Sequence, residues 1–361
     1  ASLAFSTPPK LSTIFSTPSG KFYQLPGLKT GWIWGGTNLT TIEAPKTISC
    51  LKMIKKGGWP LWSSYAGGGY PMGADLISGF YFWPKSILFY LFPFLKTFNY
   101  WLVLRLLIAG FGTFLFLKQL ALSRQAALVG AIAYMLSGHM IVNLASWWQN
   151  VVITLPYVLW SFEGYFQSLQ PGSENSTRTT AKRVEFLLPG NKKYIGLSAI
   201  FLSLLVLGGQ PQTTIIDTLL IGAYAFYRLF ATKDWRQFWQ KYLVFIIFSS
   251  LLALAISLPM IIDFSTSFFN SVSIHDNDPQ VLKHFSLSQI LYFFVSPTMF
   301  LELALFGRII DASNPIVFQY YSIIVWLLAL AGLCALVKNK IQYFFASYLV
   351  FDFLKLMGMP P

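Results

Sequence analysis

Long apolar runs, separated by short polar segments, follow one another along the chain from Phe80 onward. About 20 apolar residues suffice for a helix to cross the hydrocarbon core of a bilayer. With a mean hydropathy of +0.57 and only 11% charged residues, the composition lies outside the range of soluble globular domains. The sequence therefore predicts an all-α polytopic membrane protein with about 8–10 transmembrane or re-entrant helices. The runs are Phe80–Leu95, Tyr100–Leu117, Ala126–Ala145, Val151–Phe166, Tyr194–Leu207, Thr213–Phe230, Tyr242–Ile262, Leu287–Leu305, Phe318–Val337 and Tyr343–Leu356.

Prolines interrupt several of these runs. Proline lacks a backbone donor and ends or kinks a helix. Broken helices at membrane depth persist only where protein or a wet cavity covers the exposed backbone groups. We therefore expect Phe80–Leu95 and Leu287–Leu305 to be re-entrant or interfacial. The prolines concerned are Pro84, Pro93, Pro156 and Pro297.

The chain divides by composition into residues 1–79, an extracytoplasmic loop region, and residues 80–361, a multi-helix transmembrane domain. Within the first region, Ala44–Lys56 has apolar residues at helical spacing beside a lysine-rich face, which predicts a short interfacial helix. The apolar positions are Ile48, Leu51 and Ile54. Because the sequence begins with Ala1 rather than Met, we expect it to be a fragment of a longer protein.

Lysines and arginines collect in loops that fall on one side in an up-and-down count of the runs. Cytoplasmic loops carry such an excess. We therefore predict a multi-pass protein of the cell membrane with its functional site on the opposite, extracytoplasmic face. The basic residues are Lys118, Arg124, Arg178, Lys182, Arg183, Lys192, Lys193, Arg228, Lys233, Arg236, Lys241, Lys338 and Lys340. The three histidines, His139, His275 and His284, all fall on the predicted extracytoplasmic side.

The net charge of +13 has two readings, nucleic acid or lipid headgroups. No basic stripe with interleaved aromatics lies on a polar domain, and the lysines flank apolar segments. Membrane lipids or lipid phosphates are therefore the expected partners, and nucleic acid is not. The two cysteines, Cys50 and Cys334, lie far apart in the sequence and do not predict a structural disulfide.

The segment Gly57–Pro84 concentrates glycines, prolines and aromatic rings around one acid, Asp75. Glycine and proline together specify a shaped loop rather than a helix or a flexible linker. Three roles stay open for Asp75: a general base, a ligand of a divalent metal, or a cap for the backbone of the loop.

Ionisable residues inside apolar runs are costly and point to function. Arg105 lies about a turn and a half into its run, where a guanidinium could bind a lipid phosphate with two hydrogen bonds. Snorkelling or pairing with an acid is the alternative. Asp217, below the Gln210–Gln212 turn, is expected to be a buried hydrogen-bond or ion-pair partner rather than a catalyst.

Further candidates lie in the predicted extracytoplasmic segments. His139 follows a Ser-Gly pair and is either a base or phosphate contact, or a structural donor. The pair Trp147-Trp148 is typical of an interfacial aromatic belt and also of a sugar-stacking platform. Gln210 and Gln212 flank Pro211 in a Gly-Gly-Gln-Pro-Gln turn and are candidate substrate contacts.

These motifs together resemble the YfhO-type bacterial membrane proteins of the C-type, polyprenyl-phosphate-dependent glycosyltransferase superfamily. The resemblance covers most of residues 31–336. It rests on Gly58-Trp59-Pro60-Leu61-Trp62-Ser63-Ser64-Tyr65, Gly69-Tyr70-Pro71, Ala74-Asp75, Gly79-Phe80-Tyr81, Leu136-Ser137-Gly138-His139, Leu155-Pro156 with Glu163, Leu207-Gly208-Gly209-Gln210-Pro211-Gln212, and Leu258-Pro259 with Ser265.

The resemblance implies transfer of a sugar from a polyprenyl-phosphate donor to an envelope polymer or lipid acceptor, similar to teichoic or lipoteichoic acid. Family members have an Asp in the first extracytoplasmic loop. Here that position holds Asn38, which cannot accept a proton, so Glu43 is the substitute that the resemblance offers beside Asp75. Arg105, Lys85 and His139 would then face the leaving phosphate.

In such a reaction a carboxylate activates the acceptor hydroxyl while cations, or a divalent metal such as Mg or Mn, stabilise the leaving phosphate. Asn38 favours an alternative function, a non-catalytic family member that acts as a lipid-binding or scaffold subunit. A secondary transporter, indicated by broken helices and Asp217, ranks last because the two halves show no internal repeat.

Overall fold

The computed structural model describes residues 43–63, 69–92, 94–144, 146–169, 192–230 and 235–269, together with 344, 345 and 347. This part of the chain is mostly helical (80%) and has no strands, which confirms the helical prediction. The predictions for Asn38, His275, His284, Cys334 and the runs Leu287–Leu305 and Phe318–Val337 lie outside the described residues, as does most of Tyr343–Leu356.

The described helices follow the apolar runs, with breaks that the runs do not show. They are α1 Ala44–Lys55, α2 Trp83–Leu91, α3 Phe94–Gln119, α4 Arg124–Met135, α5 Gly138–Val142, α6 Gln149–Val152, α7 Leu155–Ser168, α8 Lys192–Leu207, α9 Pro211–Phe230 and α10 Trp235–Phe269. The helix predicted at Ala44–Lys56 is confirmed as α1. Within the run Phe80–Leu95, the short α2 ends before Pro93 and α3 begins at Phe94. Runs Ala126–Ala145 and Val151–Phe166 each divide into two helices.

Two of the described helices are long and apolar enough to cross a membrane, by length and composition. They cover Tyr100–Gln119 in α3 and Trp239–Phe269 in α10. Core helices of soluble proteins pass the same test, but such helices are mostly buried. Here only 39% and 28% of the two apolar windows are buried inside the protein.

The chain divides into two compact units. The larger comprises residues 46–135 and 147–270, and the smaller comprises residues 1–45, 136–146 and 271–361. In the larger unit α3 packs against α4 and α7, and α8 packs against α7 and α10. In the described part of the smaller unit, the hydroxyl of Ser137 caps α5 by accepting a 3.4 Å hydrogen bond from the Met140 amide.

The long helices of the larger unit bury polar side chains together with apolar ones and expose further large apolar residues. On α3 the buried face holds Arg105 and Thr113, whereas the exposed apolar residues are Tyr100, Val103, Leu107 and Phe111. On α10 the buried face includes Ser249 and Ser257, whereas Val244, Ile247, Phe248, Leu251 and Leu258 are exposed. This is the reverse of the pattern in a helix that faces water.

Small hydroxyl side chains connect the packed helices. Ser198 of α8 donates to Ser161 of α7 at 2.9 Å, and Ser257 of α10 donates to the Ser203 carbonyl at 3.5 Å. Interfaces with small residues and interhelical hydroxyl bonds are typical of helices that associate in lipid. The exposed apolar faces and these hydroxyl contacts are therefore both typical of helices that pack together in a membrane.

A buried ionic network joins α7 to α9. Glu163 is fully buried, and its carboxylate accepts hydrogen bonds from Arg228, from the Tyr224 hydroxyl at 2.6 Å and from Gln167 at 2.8 Å. The Arg228 guanidinium also lies over the Phe166 ring, 4.6 Å from its centroid. Because both carboxylate oxygens are engaged, the buried charge is paired and hydrogen-bonded.

Candidate functional site

The predicted loop has a defined shape. Ser63 and Tyr70 form an isolated antiparallel bridge, and residues Leu76–Ser78 form a 3-10 turn. Asp75 caps this turn, since its Oδ1 accepts a 3.1 Å hydrogen bond from the Ile77 amide. Gly79 ends the turn with φ +60°, a backbone conformation that residues other than glycine rarely adopt. The capping role predicted for Asp75 is therefore present in the structure.

Helix α1 holds this loop from one side. Lys46 forms an ion pair with Asp75, and Thr47 donates a 3.0 Å hydrogen bond to the Ser78 carbonyl. Burial raises the pKa of the Cys50 thiol to about 11. Burial, with a smaller contribution from the Asp75 charge, raises the pKa of Tyr70 to about 12. The Asp75 carboxylate is thus a structural partner of both the turn and the helix.

Lys85 of α2 points into the protein beneath the loop. Its side chain is only 1% exposed, and its ammonium donates to the Ser78 carbonyl at 2.9 Å and to the Thr47 hydroxyl at 3.3 Å. A Cβ added to Gly79 would lie 3.1 Å from the Lys85 Nζ. The left-handed turn at Gly79 therefore leaves room for a buried cation.

Arg105 and Asn150 lie next to this cation, and both are fully buried. Arg105 Nη2 donates a 3.0 Å hydrogen bond to Asn150 Oδ1, and its guanidinium lies 5.5 Å from the Trp101 ring centroid. Because α3 begins at Phe94 rather than Tyr100, Arg105 lies about three turns into its helix. The predicted depth of a turn and a half was wrong.

The side chains of Asn150 and Trp101 each place a buried donor in this cluster, Nδ2 and Nε1, that has no hydrogen-bond partner among the described residues. Asn150 Nδ2 lies 3.3 Å from the position that a Cβ on Gly79 would occupy, so it faces the same spot as the Lys85 ammonium. Buried donors are rarely left without an acceptor unless a ligand or a water supplies one.

The turn between α8 and α9 closes the cluster from another side. Gly209 has φ +84°, and a Cβ there would lie 2.6 Å from the Leu76 carbonyl oxygen. Gln210 Oε1 accepts a 3.2 Å hydrogen bond from Trp147 Nε1, and Gln210 Nε2 donates to Gln212 Oε1 at 3.4 Å. Trp147 and Trp148 meet edge to face, with ring centroids 4.8 Å apart.

The structure thus brings most of the predicted site residues into one neighbourhood of the larger unit. They are Asp75, Lys85, Arg105, Trp147, Trp148, Gln210 and Gln212. Glu43 and His139 belong to the smaller unit. Glu43 is buried directly before α1, and the His139 carbonyl accepts a 3.1 Å hydrogen bond from the Asn143 side chain. Asn38 lies outside the described residues.

Sequence reasoning missed Asn150, Trp101 and Asp263. Asp263 lies near the end of α10, where it accepts a hydrogen bond from the Tyr81 hydroxyl. A Cβ on Gly73, two residues before Asp75, would lie 2.6 Å from Asp263 Oδ2. Burial and the hydrogen bond to Asp263 raise the pKa of Tyr81. A lone acid at the end of a long apolar run was the signal that could have identified Asp263.

The side chains of this site favour an anion. The Lys85 ammonium and the Asn150 amide face one spot beneath Gly79, and the Arg105 guanidinium, which bonds Asn150, lies beside the Trp101 ring. Cations and aligned donors of this kind bind phosphate. Among the described residues, no group of three or more His, Cys, Asp or Glu side chains could hold a metal ion. The residues of the cluster do not fit Mg or Mn, which prefer carboxylate and carbonyl oxygens.

Comparisons of the chain with protein-family models, curated proteins and solved structures found no match. The resemblance to YfhO-type proteins therefore stays a prediction from the motifs. What the site can do follows from its own geometry, in which the buried Lys85 and Arg105 lie under a loop that Asp75 caps and that Asp263 contacts through Tyr81.

Proposed function

We propose that the chain is a multi-pass membrane protein whose site binds the phosphate of a polyprenyl-phosphate sugar on the extracytoplasmic face. Membrane insertion is supported by the apolar residues that α3 and α10 expose and by the hydroxyl contacts between helices. The orientation is supported by the distribution of lysine and arginine among the loops.

The observation that carries the phosphate assignment is the buried donor cluster beneath Gly79. Two cations, Lys85 and Arg105, are buried there, and Asn150 Nδ2 has no acceptor among the described residues. Inside a low-dielectric protein an oxyanion gains most from such prearranged donors. A lipid phosphate is the anion that a membrane-embedded site can take up from the bilayer.

The reaction we propose is transfer of the sugar to a hydroxyl of an envelope polymer or lipid. The bond between the sugar C1 and the phosphate oxygen breaks, and its electron pair leaves with the phosphate. A new bond forms between C1 and the acceptor oxygen, whose proton passes to a carboxylate. The candidate carboxylates are Asp75 in the loop and Asp263, which accepts a hydrogen bond from Tyr81 of the loop. Lys85 and Arg105 stabilise the charge on the departing phosphate.

A second function, lipid binding without catalysis, is favoured by one observation. Asp75 already pairs with Lys46 and accepts a hydrogen bond from the Ile77 amide, so both of its oxygens serve structural contacts. Together with Asn38 in place of an acid, this agrees with a subunit that binds the lipid phosphate and leaves the chemistry to another protein. The two functions share the phosphate site and differ only in turnover.

Binding is tested with undecaprenyl phosphate and the detergent-purified chain, by native mass spectrometry. Asn150→Asp keeps an acceptor for Arg105 and replaces the unpartnered donor with a negative charge, so we expect at least tenfold weaker binding with unchanged thermal stability. Gln125→Asp, exposed on α4 and outside the site, is the matched change of charge and should bind within about twofold of wild type. Equal binding by wild type and Asn150→Asp would refute the phosphate assignment.

Turnover is tested by following release of undecaprenyl phosphate from undecaprenyl-phosphate glucose in reconstituted vesicles. If the chain is an enzyme, Asp75→Asn or Asp263→Asn lowers the rate at least 100-fold while binding persists. Binding without release in wild type, with the envelope acceptor polymer supplied, would instead establish the lipid-binding function. The two assays therefore separate the two candidates.

A further inference from the structure

Helix α2 presents an apolar face to the outside of the protein. The helix has nine residues, and its buried residues, Lys85 and Phe89, lie on one side. The exposed large apolar residues lie at helical spacing on the other side: Trp83 at 43%, Ile87 at 52%, Tyr90 at 48% and Leu91 at 64% exposure. A helix of this length is about 13 Å long, less than half the hydrocarbon thickness of a bilayer.

Lysines border this face. Lys55, in the last turn of α1, places its ammonium 5.9 Å from the centre of the Tyr90 ring. Lys52 and Lys56 are also exposed on the same helix end. The sequences of α1 and α2 contain no acidic residue. The border of the apolar face is therefore cationic.

The chain that follows α1 adds further exposed aromatic surface. Trp59, Leu61 and Trp62 are each at least half exposed. The Trp59 ring meets the Phe80 ring edge to face at 5.2 Å, which fixes this segment beside the start of α2. Tryptophan and tyrosine beside lysine are the side chains that lie at the level of lipid headgroups.

We propose that α2 and the end of α1 form a docking surface for anionic phospholipid. In this arrangement α2 lies in the plane of the membrane surface, its apolar face among the acyl chains, and Lys52, Lys55 and Lys56 bind the headgroup phosphates. The inference rests on the membrane location in the proposed function, but not on sugar transfer. The outer face of α2 would then contact anionic phospholipid, whereas Lys85 on its inner face belongs to the site proposed for the polyprenyl phosphate.

The charge part of the proposal is tested by exchanging the lysines. The full chain is reconstituted in nanodiscs of phosphatidylcholine with phosphatidylglycerol, and the retained lipids are counted by native mass spectrometry. Lys52→Gln, Lys55→Gln and Lys56→Gln combined should lower phosphatidylglycerol retention by about fivefold per lysine. The matched comparison is Lys192→Gln, Lys193→Gln and Lys241→Gln combined, which removes three lysines from other helix ends and should lose clearly less phosphatidylglycerol than the first variant. Equal loss in both triple variants would overturn the proposal.

The depth of α2 is tested by fluorescence quenching with brominated phosphatidylcholine. The signal of Trp83 is taken as the difference between wild type and Trp83→Phe, and we expect more than half of it to be quenched. Trp101→Phe is the control, because the buried Trp101 should not be quenched. An unquenched Trp83 would overturn the inference. So would a dimeric wild type that Leu91→Ser converts to monomers, because a second copy of the chain, and not lipid, would then cover the apolar face of α2. If alkaline carbonate extracts the whole chain from membranes, the membrane location itself is wrong.

Discussion

Asp263, near the end of α10, accepts a hydrogen bond from the hydroxyl of Tyr81 in the site loop, across 182 residues of sequence. Because Asp263 also lies against Gly73, it contacts the loop at two points. The long apolar helix therefore helps to hold the loop over the buried cations.

Tyr81→Phe removes this bond without changing the shape of the ring. We expect a loss of about 1 to 2 kcal/mol in the free energy of unfolding, since the hydrogen bond is to a carboxylate. Amide exchange of residues 69–82 should become faster, while exchange in α7 stays unchanged. Tyr90→Phe, on the exposed face of α2, is the control and should alter neither quantity. Unchanged exchange in the loop of Tyr81→Phe would show that Asp263 does not restrain it.

The pairing of Arg105 with Asn150 predicts that two substitutions of Asn150 differ in their effect on the free energy of unfolding. Asn150→Leu removes the acceptor of a fully buried guanidinium and should destabilise the protein by about 2 to 3 kcal/mol. Asn150→Asp keeps an acceptor and should unfold within about 1 kcal/mol of wild type. Thermal unfolding in detergent measures both. Equal destabilisation by the two variants would mean that packing, and not the hydrogen bond to Arg105, decides the outcome.

The space beneath Gly79 can be tested with a matched pair of glycines. Gly79→Ala and Gly57→Ala share the same backbone cost, about 1 to 2 kcal/mol for a left-handed residue. A Cβ on Gly79 would meet the Lys85 ammonium at 3.1 Å, whereas a Cβ on Gly57, at φ +80°, would meet nothing within 4 Å. Gly79→Ala should therefore be the more destabilising variant and should also weaken undecaprenyl phosphate binding. Identical effects of both variants on unfolding and binding would contradict a crowded site.

The Glu163 network should respond to charge balance. Glu163→Ala leaves the Arg228 guanidinium beside a cavity and should cost about 3 to 5 kcal/mol. The double variant Glu163→Leu, Arg228→Met removes both charges and should recover most of that loss. Lys46→Ala, in the more exposed pair with Asp75, should cost about 1 kcal/mol or less. Failure of the double variant to recover, measured by chemical unfolding, would indicate that the network stabilises the fold beyond charge pairing.

Burial of Cys50 predicts a dependence of stability on pH. The thiol pKa rises from 9.0 to about 11 on folding, so the unfolded chain loses the proton first as the pH increases. The stabilisation is therefore complete below pH 9 and disappears between about pH 9 and 11, by at most about 2 to 3 kcal/mol. Melting temperatures should fall between pH 9 and 11 in both proteins, because both contain tyrosines, but they should fall less steeply in Cys50→Ala than in wild type. Parallel curves for the two proteins would contradict this assignment.

The sequence was sufficient for the coarse architecture and for some of the site. Helical spacing located α1 and apolar runs located most of the longer helices, although not the breaks between α4 and α5 or between α6 and α7. The cost of a charge in an apolar run singled out Arg105. The glycine and proline content of the loop indicated its fixed shape, which the cap at Asp75 and the turn at Gly79 display. These features are local, because each depends on residues within a few positions of one another.

Partners distant in sequence could not be predicted in the same way. A periodic pattern shows which face of a helix is apolar, but it does not specify which residue on another helix that face meets. Arg105 pairs with Asn150 across 45 residues, and neither position signals the other. The position of α3 was also misjudged, since the polar residues Lys96 and Asn99 concealed its first turns within a gap between apolar runs.

The contact of Asp263 with the loop has a consequence for how the protein is made. Chains fold from the N-terminus as they leave the ribosome, so Tyr81 emerges long before the residue that binds its hydroxyl. Until α10 has been synthesised, the loop lacks the contact between Tyr81 and Asp263. A chain stopped before Asp263 would therefore carry Lys85, Arg105 and Asn150 beneath a loop that has lost its tie to α10.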